Sequence, residues 1–145
     1  MKKLFIIIAL TGICIACKKQ TEPTRQISYV VSITDTSINE GNSGTSFLNF
    51  VVSLDKEVFS NDKIDIRYNT VEGTAMKGED FIEQNNRLLT FITGEKSKTI
   101  RIGILGDEIK EEDETFSLNI RFDSSRSNIK FDKEVATGKI KNDDK

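Results

Sequence analysis

A chain of 145 residues, 37% hydrophobic and 30% charged, can build one domain with its own core and is too apolar for a disordered tail. A formal charge of -2 offers no basic surface to nucleic acid. The chain has no His and only two Cys, which removes the usual ligands of Zn²⁺, Cu and Fe and the commonest general base.

The chain opens with MKKLFIIIALTGICIAC: two lysines, an apolar run from Leu4 to Ala16, then a cysteine. That order is the anatomy of a secretory signal peptide. The run is too short to cross a hydrocarbon layer of about 30 Å as a helix. The segment resembles a bacterial lipoprotein signal, which is cut before a cysteine that then carries diacylglycerol on its sulfur. That resemblance implies lipidation at Cys17, because Ala16 is small enough to precede the cut while Cys14 follows the bulky Ile13. The motif usually holds Leu three positions before its cysteine, where this chain has Cys14. A plain secretion signal with a free Cys17 and an uncleaved membrane anchor are the competing readings.

Three regions are therefore expected: a signal peptide over 1–16, a lipidated Cys and polar tether over 17–26 (KKQTEPTRQ after Cys17, with Pro23), and a folded domain over 27–145. The expected location is the cell envelope, at the outer membrane or cell surface, with the lipid anchor as the membrane contact. Acylation of Cys17 and loss of Cys14 would leave no thiol for disulfides or catalysis. From Ile27 onward there are 16 basic against 22 acidic side chains, so the domain itself is acidic.

Along that domain the apolar residues recur with period two. In chain order the predicted strands are YVVSI (29–33), FLNFVVSL (47–54), IDIRY (64–68), LLTFI (88–92), TIRIGI (99–104), FSLNIRF (116–122) and VATGKI (135–140). No segment has a convincing helical period. Seven such strands predict an all-β, seven-stranded antiparallel sandwich.

In a sandwich each strand crosses the domain, so alternate connections share a pole. The first connection carries Glu40, the third Asp80, and the fifth the run DEIKEEDE with Asp107, Glu108, Glu111, Glu112, Asp113 and Glu114; the exit carries Asp143 and Asp144. Convergent carboxylates repel one another unless they take up protons or a cation. Ca²⁺ fits best, because it accepts roughly six to eight oxygen ligands in flexible geometry, and Gly41, Gly44, Gly73, Gly78 and Gly106 let these loops bend carbonyls inward. Parity also puts Ile27, and the tether with it, at the opposite pole.

The blocks NEGNSG, YNTVEGTAMKGEDF, LTFITGEKSKTIRIGILGDEIKEEDETFSLNI and ATGKIKNDD resemble a Calx-beta domain, from about Ile27 to Asp144. The resemblance implies an immunoglobulin-like sandwich that, in some members, binds Ca²⁺ through loops at one end. It implies metal ligands at Glu40, Asp80, Asp107, Glu111, Asp143 and Asp144. Gly106 stands where strong binders of the family carry another acid, and Glu112 and Glu114 read as solvated flank residues. A single unit is expected, without a tandem neighbour against this pole.

The leading functional reading is thus a membrane-anchored, extracytoplasmic calcium-binding module with a structural or partner-binding role, its partner a protein at the cell surface. A metal-free interaction or adhesion module is the alternative. Catalysis is not expected: with no His or Trp, and with Tyr29 and Tyr68 both on strands, nothing marks a cleft for a small-molecule substrate.

Overall fold

Period-two alternation becomes nine strands, and no helix, among the described residues of the computed structural model, which are 27–59, 62–123 and 128–145. The signal segment, Cys17 and the tether lie outside them. The strands are β1 (Tyr29–Ile33), β2 (Thr36–Asn39), β3 (Gly44–Leu54), β4 (Lys63–Glu72), β5 (Arg87–Ile92), β6 (Ser97–Gly106), β7 (Glu114–Phe122), β8 (Ile129–Lys133) and β9 (Val135–Lys141). One sheet has the order β6-β3-β1-β8 and the other β2-β9-β7-β4-β5.

Alternation decides which side chains meet between the sheets. Leu48, Phe50, Val52 and Leu54 of β3 and Ile100, Ile102 and Ile104 of β6 face Ile64 and Ile66 of β4 and Phe116, Leu118 and Ile120 of β7, all buried. Phe116 joins the layers, with its ring edge-on to Phe50 (5.9 Å) and stacked on Phe81 (4.4 Å). Burying each such side chain contributes about 1.5–3 kcal/mol.

The all-β sandwich stands, but the strand count of seven is corrected to nine, and the pairing is not wholly antiparallel. The first and last crossings are each broken in two and change sheets, so that β1 runs parallel to β8 in one sheet and β2 parallel to β9 in the other. Asp35 sits in the first break and holds the second: its Oδ1 accepts from Thr137 N (2.7 Å) and its Oδ2 from Lys133 Nζ (2.6 Å). These two contacts, the Lys133 hydrogen bond first, hold the Asp35 carboxyl below its ordinary pKa. The two extra strands are short and carry few apolar residues, Ile38 in TSIN and Ile129 and Phe131 in IKFDK.

Neither sheet change reverses the chain, so the poles fall where parity put them. Gly44 at one end of β3 pairs with Gly106, and Leu54 at the other end pairs with Val31, roughly 33 Å away at the rise of a strand. The acidic loops gather at the Gly44 end. Ile27 lies at the Leu54 end, where its carbonyl accepts from Asn128 Nδ2 (2.7 Å) and the Ser28 carbonyl from Lys56 Nζ (2.8 Å).

Candidate metal centre

Residues 73–82 form the wall of the acidic pole because both of their ends are fastened. Ala75 N donates to Thr115 O (3.0 Å) and Thr115 N to Thr74 Oγ1 (2.8 Å) at the start of β7. Leu105 N donates to Asp80 O (2.9 Å) and Ile82 N to Gly103 O (2.8 Å) along the edge of β6. Between these seams the chain turns through Gly78 (φ 83), and Asp80 Oδ2 accepts from Met76 N (2.6 Å). Phe81, buried on Phe116, anchors the turn, so Asp80 is itself buried, 8% exposed.

Glu40 continues the inward row of β2 one step beyond Ile38 and is 5% exposed. Its backbone N–H donates to Lys141 O (3.0 Å), which ties it to the end of β9. The next residue, Gly41, turns at φ 87 and passes so close to Gly106 that a Cβ there would overlap the Gly41 carbonyl. The glycine where an acid would otherwise stand is thus required by the backbone at this crossing.

The carboxylate run leaves β6 at Asp107, whose Oδ1 accepts from Ile109 N (2.6 Å), and ends at Glu114, the first residue of β7. Glu114 shares the inward parity of Phe116, Leu118 and Ile120, and it lies inside the pole rather than on the solvated flank expected of it. Extending the alternation of β7 back by one step is the sequence signal that finds it. Glu112 is exposed, and Asp113 is drawn away to Lys139 (2.7 Å).

Asp80, Glu111 and Glu114 come together, their nearest carboxylate oxygens all within 4.8 Å. Glu40 lies close enough to feel the charges of Asp107, Glu111, Asp80 and Asp144. Asp143 Oδ1 accepts from Gly41 N (2.9 Å), and Asp144 N donates to Asn142 Oδ1 (2.9 Å). All six expected ligands therefore sit at one pole, with Asp80 and Glu111 inside the tight group and Asp107, Asp143 and Asp144 around it.

This crowding resists ionisation. Burial first, and then the charges of Asp107, Glu111, Asp80 and Asp144, push the Glu40 carboxyl up to about 7. Burial, then a hydrogen bond that the protonated Glu114 donates to Asp80 and the charges of Asp80, Glu111 and Glu40, raise Glu114 to about 7 as well. Glu111 and Asp144 are raised for the same kinds of reason, burial leading in both. Among the described residues no Lys or Arg pairs with Glu40, Asp80, Glu111 or Glu114. The arrangement is a cluster of hard oxygen donors without a basic partner among the described residues, the kind of donor set that a hard cation takes.

The model of the Calx-beta domain family matches residues 22–144 of this chain. Sodium/calcium exchanger 2 of Homo sapiens is 42% identical over 55 residues, which are 38% of this chain and 6% of that protein, so the chain spans a small part of that relative. The crystal structure of the apo-form Calx CBD1 domain is similar in fold at TM-score 0.64 and 24% identity, over 81% of this chain and 99% of that one. CBD12 from CALX1.2 matches at TM-score 0.62 and 25% identity, over 79% of this chain and 46% of that one.

Proposed function

This chain belongs to the Calx-beta domain family, and on that footing we propose that its acidic pole binds Ca²⁺ through Glu40, Asp80, Asp107, Glu111, Glu114, Asp143 and Asp144. The observation that carries the reading is the group Asp80, Glu111 and Glu114, brought from two segments to within 4.8 Å with no ion pair to a basic side chain among the described residues. Asp144 Oδ2 supports it too, as a buried oxygen with no hydrogen-bond donor. An all-oxygen donor set on loops suits Ca²⁺ better than Mg²⁺, which holds its waters and demands a tight octahedron. Bound there, the ion supplies positive charge, which lets Glu40 and Glu114 ionise at neutral pH and locks residues 73–82, 107–114 and 142–144 against one another. The curated relative is by name a sodium/calcium exchanger, which agrees with a calcium role for the shared module.

The module works as a binding and rigidifying unit rather than as an enzyme. The signal segment supports a place in the cell envelope, outer membrane or cell surface, held by lipid on Cys17, with the calcium pole directed outward as a contact for a protein partner. Calorimetric titration with CaCl₂ tests the binding. The wild-type protein should bind Ca²⁺ and the Glu40→Ala/Asp80→Ala/Asp107→Ala variant should lose it; no heat of binding in the wild type would leave the metal-free interaction module in its place.

A further inference from the structure

The three most exposed large hydrophobic side chains among the described residues are Phe59 (62%), Ile109 (59%) and Ile92 (56%). Ile109 belongs to the acidic pole, whereas Phe59 and Ile92 sit together at the other. Phe59 is not on a loose loop. Its N–H donates to the hydroxyl of Tyr29 (2.9 Å), a fully buried residue, and its neighbour Val58 is buried and bonded by both backbone groups, to Glu95 O (3.0 Å) and from Gly94 N (2.9 Å). Ile92 ends β5 in the same seam, its carbonyl accepting from Glu95 N (3.0 Å). The core thus holds two apolar side chains out into water on a fixed backbone.

Their position relative to the chain's entry is the second observation. Tyr29, which pins Phe59, lies two residues after Ile27, where the tether joins the domain. Nine residues separate Cys17 from Ile27, and the ten steps between them span at most about 35 Å, so an anchor at Cys17 keeps this pole beside the bilayer. Charges of both signs stand at this end, among them the pairs Lys56 with Asp55 and Lys98 with Glu95, so the field there is mixed rather than one-signed. The acidic pole, by contrast, is repelled by anionic headgroups.

We infer that the Phe59 and Ile92 pole docks on the phospholipid surface, the two side chains entering the headgroup and acyl boundary as the apolar residues of interfacial proteins do. This sets the domain upright, with the acidic loops pointing away from the membrane. The inference rests on the anchored reading proposed above.

The chain contains no Trp, so Phe59→Trp provides a single reporter. The full chain, isolated from membranes, is mixed with vesicles of phosphatidylethanolamine and phosphatidylglycerol carrying a phosphatidylcholine brominated in its acyl chains. Phe59→Trp should shift its emission to the blue and lose most of its intensity to the bromines, while Ile109→Trp should keep both. In wild-type background, Phe59→Ser/Ile92→Ser should leave the melting temperature unchanged and loosen vesicle association. A chain that floats with the vesicles while Phe59→Trp stays unquenched overturns the docking and spares the anchor. A chain that does not float overturns both, and equal quenching at positions 59 and 109 overturns the orientation. None of these outcomes bears on calcium binding.

Discussion

The carboxyl groups of Asp80 and Glu114 face one another at the acidic pole, with ligand oxygens within 4.8 Å of each other and of Glu111. Carboxylates this close repel one another, and a proton on one of them or a cation between them relieves the repulsion. The raised values of Glu40 and Glu114 mean that the metal-free pole takes up protons near neutral pH, and it should respond to pH.

Glu40 and Glu114 both have folded-state values near 7, above the 4.5 of an unfolded chain. Between these values the folded protein binds more protons than the unfolded one, so stability falls as pH rises. The metal-free protein should melt higher at pH 5 than at pH 7.5, with the loss concentrated between about 4.5 and 7. Replacing Glu40 by Gln, which keeps the neutral shape, should flatten that slope. Melting in EGTA across this range checks it, and a stability that rises through the window would oppose the account.

Gly106 gives a backbone prediction. Because a Cβ would overlap the Gly41 carbonyl, Gly106→Ala should destabilise the fold by about 1–3 kcal/mol, the usual penalty for forcing atoms into packed space. Gly106→Asp, which supplies an extra acid, should weaken rather than strengthen calcium affinity by displacing Glu40 and Gly41. Denaturation midpoints and calcium titrations of the two variants decide this.

Asp35 gives a prediction about the fold. Asp35→Ala removes the charged acceptor of Thr137 N and the partner of Lys133, and should cost about 0.5–1 kcal/mol, since both side chains are exposed to solvent. The lowered pKa of Asp35 means that its contribution is present above the ordinary carboxylate range and is lost as pH falls through the folded value. The difference between Asp35→Ala and wild type should accordingly shrink in strong acid, as urea titrations at neutral and acid pH would show.

Cys17 gives a prediction outside the described residues. Cys17→Ser should abolish incorporation of labelled palmitate and leave precursor or untethered protein. Label that persists in the Cys17 variant but vanishes from a Cys14 variant would place the lipid on the other cysteine.

Strands whose buried rows are continuous, such as FSLNIRF and TIRIGI, were legible because period two is written in large apolar side chains. TSIN and IKFDK were not, since each spends few apolar residues and is held by pairing with a distant parallel neighbour that sequence spacing does not reveal. The pole survived that miss because broken crossings keep their direction. Within the site, Glu40 and Asp80 stood out as acids on glycine-bearing turns. Glu114 was hidden by its company: a run of like charge reads as solvated surface, although the inward parity of Phe116 extends to it. The reason for Gly106 was invisible in sequence, because it lies in the approach of Gly41 from another loop.

Thermal melting in EGTA, in Mg²⁺ and in Ca²⁺ tests the central claim most directly. A dissociation constant of about 10 µM would make about 1 mM Ca²⁺ stabilise the fold by about 2.7 kcal/mol. At several degrees per kcal/mol for a domain of this size, the melting temperature should rise by roughly 8–15 °C. A site in the millimolar class would give about 1–3 °C. Mg²⁺ should give less, and Asp80→Ala or Glu114→Ala should remove most of the calcium shift. Superimposable curves in EGTA and in millimolar Ca²⁺ would contradict the account.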